Sequence, residues 1–199
     1  MNDAIQRYNK VAIILHLLVG IFIAVMFGLG WFMADLPKDL PKVPSVDLFD
    51  LGVYTLQFSE PVTPRTFYFG LHKSLGVTIF ALILIRIFWR LSHAAPAFPA
   101  TMKAWEKKLA ELTHKALYLL MLLVPLSGLV MTIYSKYGLL WFGVRLAKGL
   151  DNEPLRQVFK EAHEVIGLIL VVLIALHVLS AIKHQVIDKD NLLKRMSLR

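Results

Sequence analysis

The chain has no cysteine among its 199 residues. Disulfides, iron–sulfur clusters and thiolate ligands are therefore excluded. Charge is scarce too: Lys, Arg, Asp and Glu make up 18% of the residues against 57% apolar. The mean hydropathy of +0.60 lies far from the soluble balance. The scarcity is patterned, because residues 11–33, 116–135 and 165–182 hold no charged residue at all. Those are lengths at which an apolar helix spans a bilayer. Also missing are an internal repeat, a low-complexity stretch, a Ser-His-Asp order, a phosphate loop and a metalloprotease helix.

A fourth apolar run, about residues 67–91, carries Lys73 and Arg86 near its ends, where long side chains reach an interface. The expectation is all-α: a four-helix transmembrane bundle forming one domain over residues 1–199, with helices at about 11–33, 67–91, 114–135 and 161–184. With a cytoplasmic N-terminus, the inside segments and adjoining helix ends hold 13 Lys and Arg against 5 Asp and Glu, while the outside holds 9 of each. The net charge of +8 therefore lies wholly inside, which is the asymmetry that orients membrane proteins. It also accounts for the pI of 9.7. In this setting the basic charge points to membrane lipid headgroups and not to nucleic acid. The first run is too long for a signal-peptide core and no small-x-small cleavage site follows it, so it reads as retained. These features predict a multi-pass membrane protein with both termini cytoplasmic.

The connections differ in character. Residues 1–10 form a short polar lead-in. Residues 34–66 carry Pro37, Pro41, Pro44, Pro61 and Pro64 with Asp35, Asp39, Asp47, Asp50 and Glu60, which predicts an extracytoplasmic loop without strong periodicity. Residues 92–113 predict an amphipathic turn on the membrane surface from Met102 onward. Residues 136–160 are mildly basic, with Trp141 at interface depth.

Histidines are costly inside a membrane and mark function by default. His163 and His177 lie fourteen residues apart, four helical turns less about 40°, so they share one face about 21 Å apart. By depth the candidates sort into two level pairs, His16 with His177 and His72 with His163. Two neutral imidazoles at matched height on facing helices can bind iron from both sides of a porphyrin. Small residues follow each at i+4: Gly20, Gly76, Gly167 and Ala181, which leaves room for a flat macrocycle along the helix face. His114 has Tyr118 there and His184 has Asp188, which sets them apart. Arg86 repeats the fourteen-residue step from His72, and Gly30 repeats it from His16. An inward Arg86 needs an anionic or polar partner, such as a haem propionate or a quinone. Lys73, Arg156 and Lys160 read as a solvated rim near the outer pair, and His93 as loop. Zinc is disfavoured, since the pairs are a membrane apart and bring no acidic or thiolate partner.

Three segments carry a resemblance: His72-Lys-Ser-Leu-Gly-Val with Arg86 and Arg90; Thr113-His-Lys-Ala-Leu-Tyr through Pro125-Leu-Ser-Gly-Leu-Val-Met; and Lys189-Asp-Asn-Leu-Leu-Lys-Arg-Met. Together with the His163/His177 spacing they resemble the prokaryotic cytochrome b561 family over nearly the whole chain. The resemblance implies two haem b groups, one held by His16 and His177 and one by His72 and His163, and electron exchange with membrane quinone. Some members of that family oxidise superoxide from the periplasmic side. The first loop is longer here than in compact members. Its acidic, proline-rich segment is expected to cover the outer haem or to dock a periplasmic donor. Acid near the entrance repels an anion, while Arg65, Lys73, Arg156 and Lys160 pull the other way.

The resulting expectation is an oxidoreductase that passes electrons from superoxide or another periplasmic electron donor to ubiquinone near the cytoplasmic face. Arg86, His114, Lys115 and His184 are the candidate quinone-site groups. Two rivals stand beside it: a cytochrome b electron-transfer subunit of a hydrogenase or dehydrogenase complex, and a non-redox four-helix membrane protein.

Overall fold

The structure is a computed structural model that describes residues 7–99 and 101–198; the first six residues of the polar lead-in lie outside the described residues. Four helices run up and down: α1 (Lys10–Asp35), α2 (Pro64–Ser92), α3 (Ala104–Ile133) and α4 (Glu153–Lys183). Each is long and apolar enough to cross a membrane, and a helix satisfies its own backbone groups where no water can. The leading N–H groups, which a helix leaves open, are met by side chains. Asn9 Oδ1 accepts from the Ala12 N–H at 2.8 Å. Thr63 Oγ1 accepts from Thr66 at 3.1 Å, and Asn152 Oδ1 from Leu155 at 3.1 Å. At α3, Glu106 Oε2 reaches back to the Lys103 N–H at 3.0 Å. The last turn of α1 has no basic residue of its own. Arg65, from the start of α2, supplies one by donating to the Leu36 carbonyl and, at 3.4 Å, to that of Met33, a favourable place for a cation.

Three helices start earlier than expected. The segment after Met102 is no separate surface turn but the opening of α3, because Trp-Glu-Lys-Lys-Leu-Ala-Glu-Leu is rich in helix formers and lacks a breaker. α4 begins at Glu153 instead of about 161, since Asn152 caps it and Pro154 suits a first turn. α2 begins at Pro64 for the same reason. The loop 34–66 also departs from expectation, because it contains an antiparallel hairpin. In it β1 (Val43–Asp47) pairs with β2 (Thr55–Val62), with Val46 opposite Leu56. Leu56 and Phe58 alternate with polar neighbours, the strand period. The prolines that mask this pattern are tolerated because both strands of a two-stranded ribbon are edges.

The hairpin is seated on Tyr68, which is only 2% exposed. Its hydroxyl accepts from the Phe49 N–H at 2.7 Å and donates to the Asp47 carbonyl at 3.1 Å. Phe32 and Phe67 flank the ring at 4.8 and 5.0 Å between centres. A second hairpin, β3 (Leu139–Trp141) with β4 (Val144–Ala147), lies along α2. There the Phe142 N–H donates to Ser74 Oγ at 2.9 Å and the Trp141 indole to Thr78 Oγ1 at 3.1 Å. Trp141, expected at interface depth, is thus held against the middle of α2.

The centre of the bundle is apolar. Val19 and Ile23 of α1, Ile79 and Ile83 of α2, Leu117 and Met121 of α3, and Leu170 of α4 form one buried cluster. Ile14, Leu17, Ile21 and Val25 lie on the opposite face of α1 and are exposed, as lipid-facing positions should be. At the end that carries both termini, α4 widens into a π-helical turn, His184–Asp188, followed by a 3₁₀ turn, Leu192–Met196. The buried Arg195 donates to the Ala97 carbonyl at 2.7 Å, and its own carbonyl accepts from the Tyr8 N–H at 3.1 Å. The tail therefore ties the N-terminus and the α2–α3 connection to α4. Removing the Tyr68 hydroxyl should loosen the first hairpin without melting the bundle. Tyr68→Phe is expected to cost about 1–3 kcal/mol locally, seen as faster proteolytic nicking near Leu51–Tyr54 with helix content unchanged by circular dichroism.

Candidate functional site

Folding brings the histidines to the two predicted levels. At the hairpin end, the rings of His72 (α2) and His163 (α4) stand 6.3 Å apart at 88°. At the termini end, His16 (α1) and His177 (α4) stand 6.2 Å apart at 70°. The buried apolar cluster fills the bundle between them. Metal–imidazole bonds run about 2.0–2.1 Å, so an ion held between two ring nitrogens sets the ring centres roughly 6.3 Å apart. Both separations fit two imidazoles that would share one metal ion.

The outer pair is prepared for that role at the level of single atoms. His163 Nδ1 donates to the Val124 carbonyl at 2.8 Å, with Ser127 Oγ at 3.2 Å. The ring proton is thereby held on Nδ1, leaving Nε2 as a free lone pair, the arrangement that orients metal-ligating histidines. His72 Nδ1 is buried and finds no partner among the described residues, a costly state for a polar atom away from water. Two glycines make the close approaches possible. A Cβ on Gly30 would come within 3.5 Å of His72 Cε1, and one on Gly128 within 3.0 Å of His163 Cε1. Gly30 was legible from its fourteen-residue step. Gly128 and Ser127 were not assigned a role, although both lie inside the Pro125-Leu-Ser-Gly motif. At Gly20 an added Cβ would meet nothing within 4 Å, and at Gly76 and Gly167 only ordinary contacts at 3.7 Å. Of the i+4 glycines only Gly20 therefore borders open space, while Gly76 and Gly167 pack against Met26 and Phe27.

The inner pair carries a complication. Arg86 points inward at this level, as its spacing predicted, but its partner is His16: the guanidinium donates to His16 Nδ1 at 2.7 Å. It also lies 5.4 Å over the Tyr118 ring. Arginine has no acceptor, so Nδ1 must accept and the neutral ring carries its proton on Nε2. For His16 Nε2 to bind iron, Arg86 has to turn to another acceptor. His114 joins this level with its ring 5.5 Å from that of His177, closer than a shared metal requires.

The four quinone-site candidates therefore separate. Arg86 and His114 come together beside the inner pair. Lys115 is exposed on α3. His184 sits in the π-helical turn beyond, bonded through Nδ1 to Asp190 at 2.7 Å and near Asp188 at 3.0 Å. His93 stacks on Trp89 at the end of α2. The cations near the outer pair are mostly engaged: Arg156 with Glu153, Lys160 with Glu164 at 2.9 Å, and Arg65 with the end of α1.

A four-helix membrane bundle whose facing imidazoles are set at metal-bridging distance, without cysteine, defines a membrane cytochrome with non-covalently held haem. The chain belongs to the prokaryotic cytochrome b561 family, which it matches over residues 7–197; membership implies b-type haem and electron transport. It is 27% identical over 199 residues to cytochrome b561 homolog 1 of Escherichia coli (strain K12), covering 98% of each chain. It is 28% identical over 197 residues to cytochrome b561 homolog 2 of the same organism, covering 96% of this chain and 91% of the relative. A probable superoxide oxidase CybB of Yersinia pestis is 28% identical over 127 residues, 63% of this chain and 72% of that one.

Two substitutions probe the geometry. Gly128→Val should drive a methyl into His163 and lower the haem count per chain by one. His16→Ala should remove one haem, whereas His114→Ala should keep the full count, measured by pyridine haemochrome per chain.

Proposed function

We propose that the protein is a dihaem oxidoreductase of the bacterial inner membrane, with both termini cytoplasmic, that takes electrons from a periplasmic donor and delivers them to ubiquinone. The observation that carries this reading is the pair of imidazole couples, each at metal-bridging separation, fourteen residues apart along α4. His72 and His163 would hold one b-type haem and His16 and His177 the other. When bound, the haems supply one-electron outer-sphere transfer, since two imidazoles leave iron no open site. The chain's own residues do the rest. Val124 fixes the tautomer of His163, and the apolar layer of Val19, Ile79, Leu117 and Leu170 keeps water and protons from crossing between the levels. Arg86 and His114 offer donors to a quinone carbonyl at the inner level, which calls for a quinone site there.

Superoxide is the proposed donor, supported by the likeness to a probable superoxide oxidase. A docked protein donor is the second reading, favoured by the β1–β2 hairpin on Tyr68, one turn from His72, which carries Asp47 and Asp50 in a cleft shared with Phe32, Leu36 and Tyr68.

The test is a dithionite-reduced minus oxidised spectrum of the purified protein with haem counted per chain. Two b-haems, oxidised by added ubiquinone and reduced by superoxide, are the expected result. Oxidation by quinone without reduction by superoxide selects the docked donor. Absence of haem overturns the reading. Arg86→Gln should slow electron transfer to quinone at least about tenfold, as expected on losing a charged donor, with both haem spectra kept.

A further inference from the structure

His184 stands apart from the cluster that its candidacy suggested, and its surroundings give it a different task. It lies seven residues beyond His177, two turns on within about 20° of the same face, at a rise of about 10.5 Å. The imidazole and its carboxylate partner are both sheltered, at 8% and 4% side-chain exposure, and their bond is 2.7 Å long. A buried imidazole–carboxylate pair directly in line beneath the inner histidines, at the end of the bundle, has a geometry suited to handing protons inward.

The elements around it keep that geometry. The π-helical turn His184–Asp188 brings Asp188 Oδ2 within 3.0 Å of the same ring nitrogen. Lys189 and Asn191 then adopt left-handed backbone conformations (φ 55° and 60°) that fold Asp190 back under the ring. From α3, Glu106 faces the pair, and Lys183 bridges Glu106 at 3.0 Å and Asp188 at 2.7 Å. Lys103, at the α3 cap, adds its charge to this side. Glu106, His184 and Asp188 could together enclose a metal ion, but the Lys183 ammonium already sits between the two carboxylates, so the cluster is electrostatically complete. Gln185 Oε1, next in the turn, is buried without a partner among the described residues, an acceptor in the same turn. Toward the inner histidines the side chains shrink. Ala181 lies between His177 and His184, and Ala110 lies one turn from both Glu106 and His114.

We infer that the His184–Asp190 pair is the proton-entry relay for quinone reduction, passing protons from the aqueous side at the termini end toward the quinone bound near Arg86 and His114. The inference rests on the quinone reading above. Reduction of one quinone to quinol takes up two electrons and two protons; the haems deliver the electrons, and water on the termini side is the proton source. The imidazole takes a proton on one nitrogen and releases one from the other, while Asp190 orients it and stabilises the cation formed in passing.

The test uses the full-length holoprotein, prereduced with dithionite and mixed by stopped flow with either a short-chain ubiquinone or ferricyanide, which accepts electrons without protons. In wild type both oxidations should vary little from neutral to alkaline pH. Asp190→Asn and His184→Gln, the latter keeping a donor to Asp190, should leave ferricyanide oxidation and both haem spectra unchanged. With quinone they should slow by about a hundredfold, as for loss of a general acid. The residual rate should fall about tenfold per unit rise in pH, because bulk hydronium then supplies the proton. Asp190→Glu should recover most of the rate. Wild-type quinone rates and pH slope in both variants would overturn the relay while leaving the quinone reading intact. A parallel fall with ferricyanide would also overturn it, marking the pair as structural. Wild-type protein that reduces ferricyanide but not quinone would overturn the acceptor reading itself, and the relay with it.

Discussion

An imidazole has two nitrogens, and in hydrocarbon neither can be left to water. That constraint organises the bundle. At His163 one nitrogen is fixed on the Val124 carbonyl of the neighbouring helix, which leaves the other with a free lone pair. The contact needs α3 and α4 close together, and it is there that Gly128 gives up its side chain. The same helix carries His177 and then His184 along one face, so three polar stations share a stripe that elsewhere contributes Gly167 and Leu170 to the buried interior.

The two levels differ in readiness. The His72 and His163 rings face each other at metal-bridging distance with no side chain among the described residues between them to displace, whereas His16 on α1 is held by Arg86. Such a clasp satisfies a buried cation and a buried ring at once. It also means that filling the inner site exchanges one partner of Arg86 for another, so the guanidinium reports on the state of that site. A polar acceptor near it, whether a carboxylate of the bound macrocycle or a quinone carbonyl, is what the exchange requires.

How much of this was legible in the sequence follows from the range of each signal. Spans, levels and shared faces are set by periodicity along one helix, so the spacing of His16, His72, His163 and His177 was enough to pair them. Gly30 could be found the same way. Gly128 and Ser127 could not, since their roles lie in contacts across α3 and α4 that no one-dimensional period encodes. The β1–β2 hairpin was hidden because prolines usually argue against strands, and a two-stranded ribbon has no interior strand to forbid them. The early start of α3 was missed because its first turns are amphipathic and lie beside the apolar run, where helix propensity and membrane depth give different boundaries. The quinone candidates split because His184 lies two helical turns beyond His177 and Lys115 is exposed on α3.

α4 supplies one imidazole to each level, and the interval between them is a fixed number of residues on a single rigid rod. Within that interval the helix works as a ruler. Adding or deleting one residue would turn one imidazole by about 100° toward lipid while leaving the other in place. Length variation in relatives of this bundle should therefore collect in the hairpins and the tail, and the stretch from His163 to His177 should keep its length even where its apolar residues are freely exchanged.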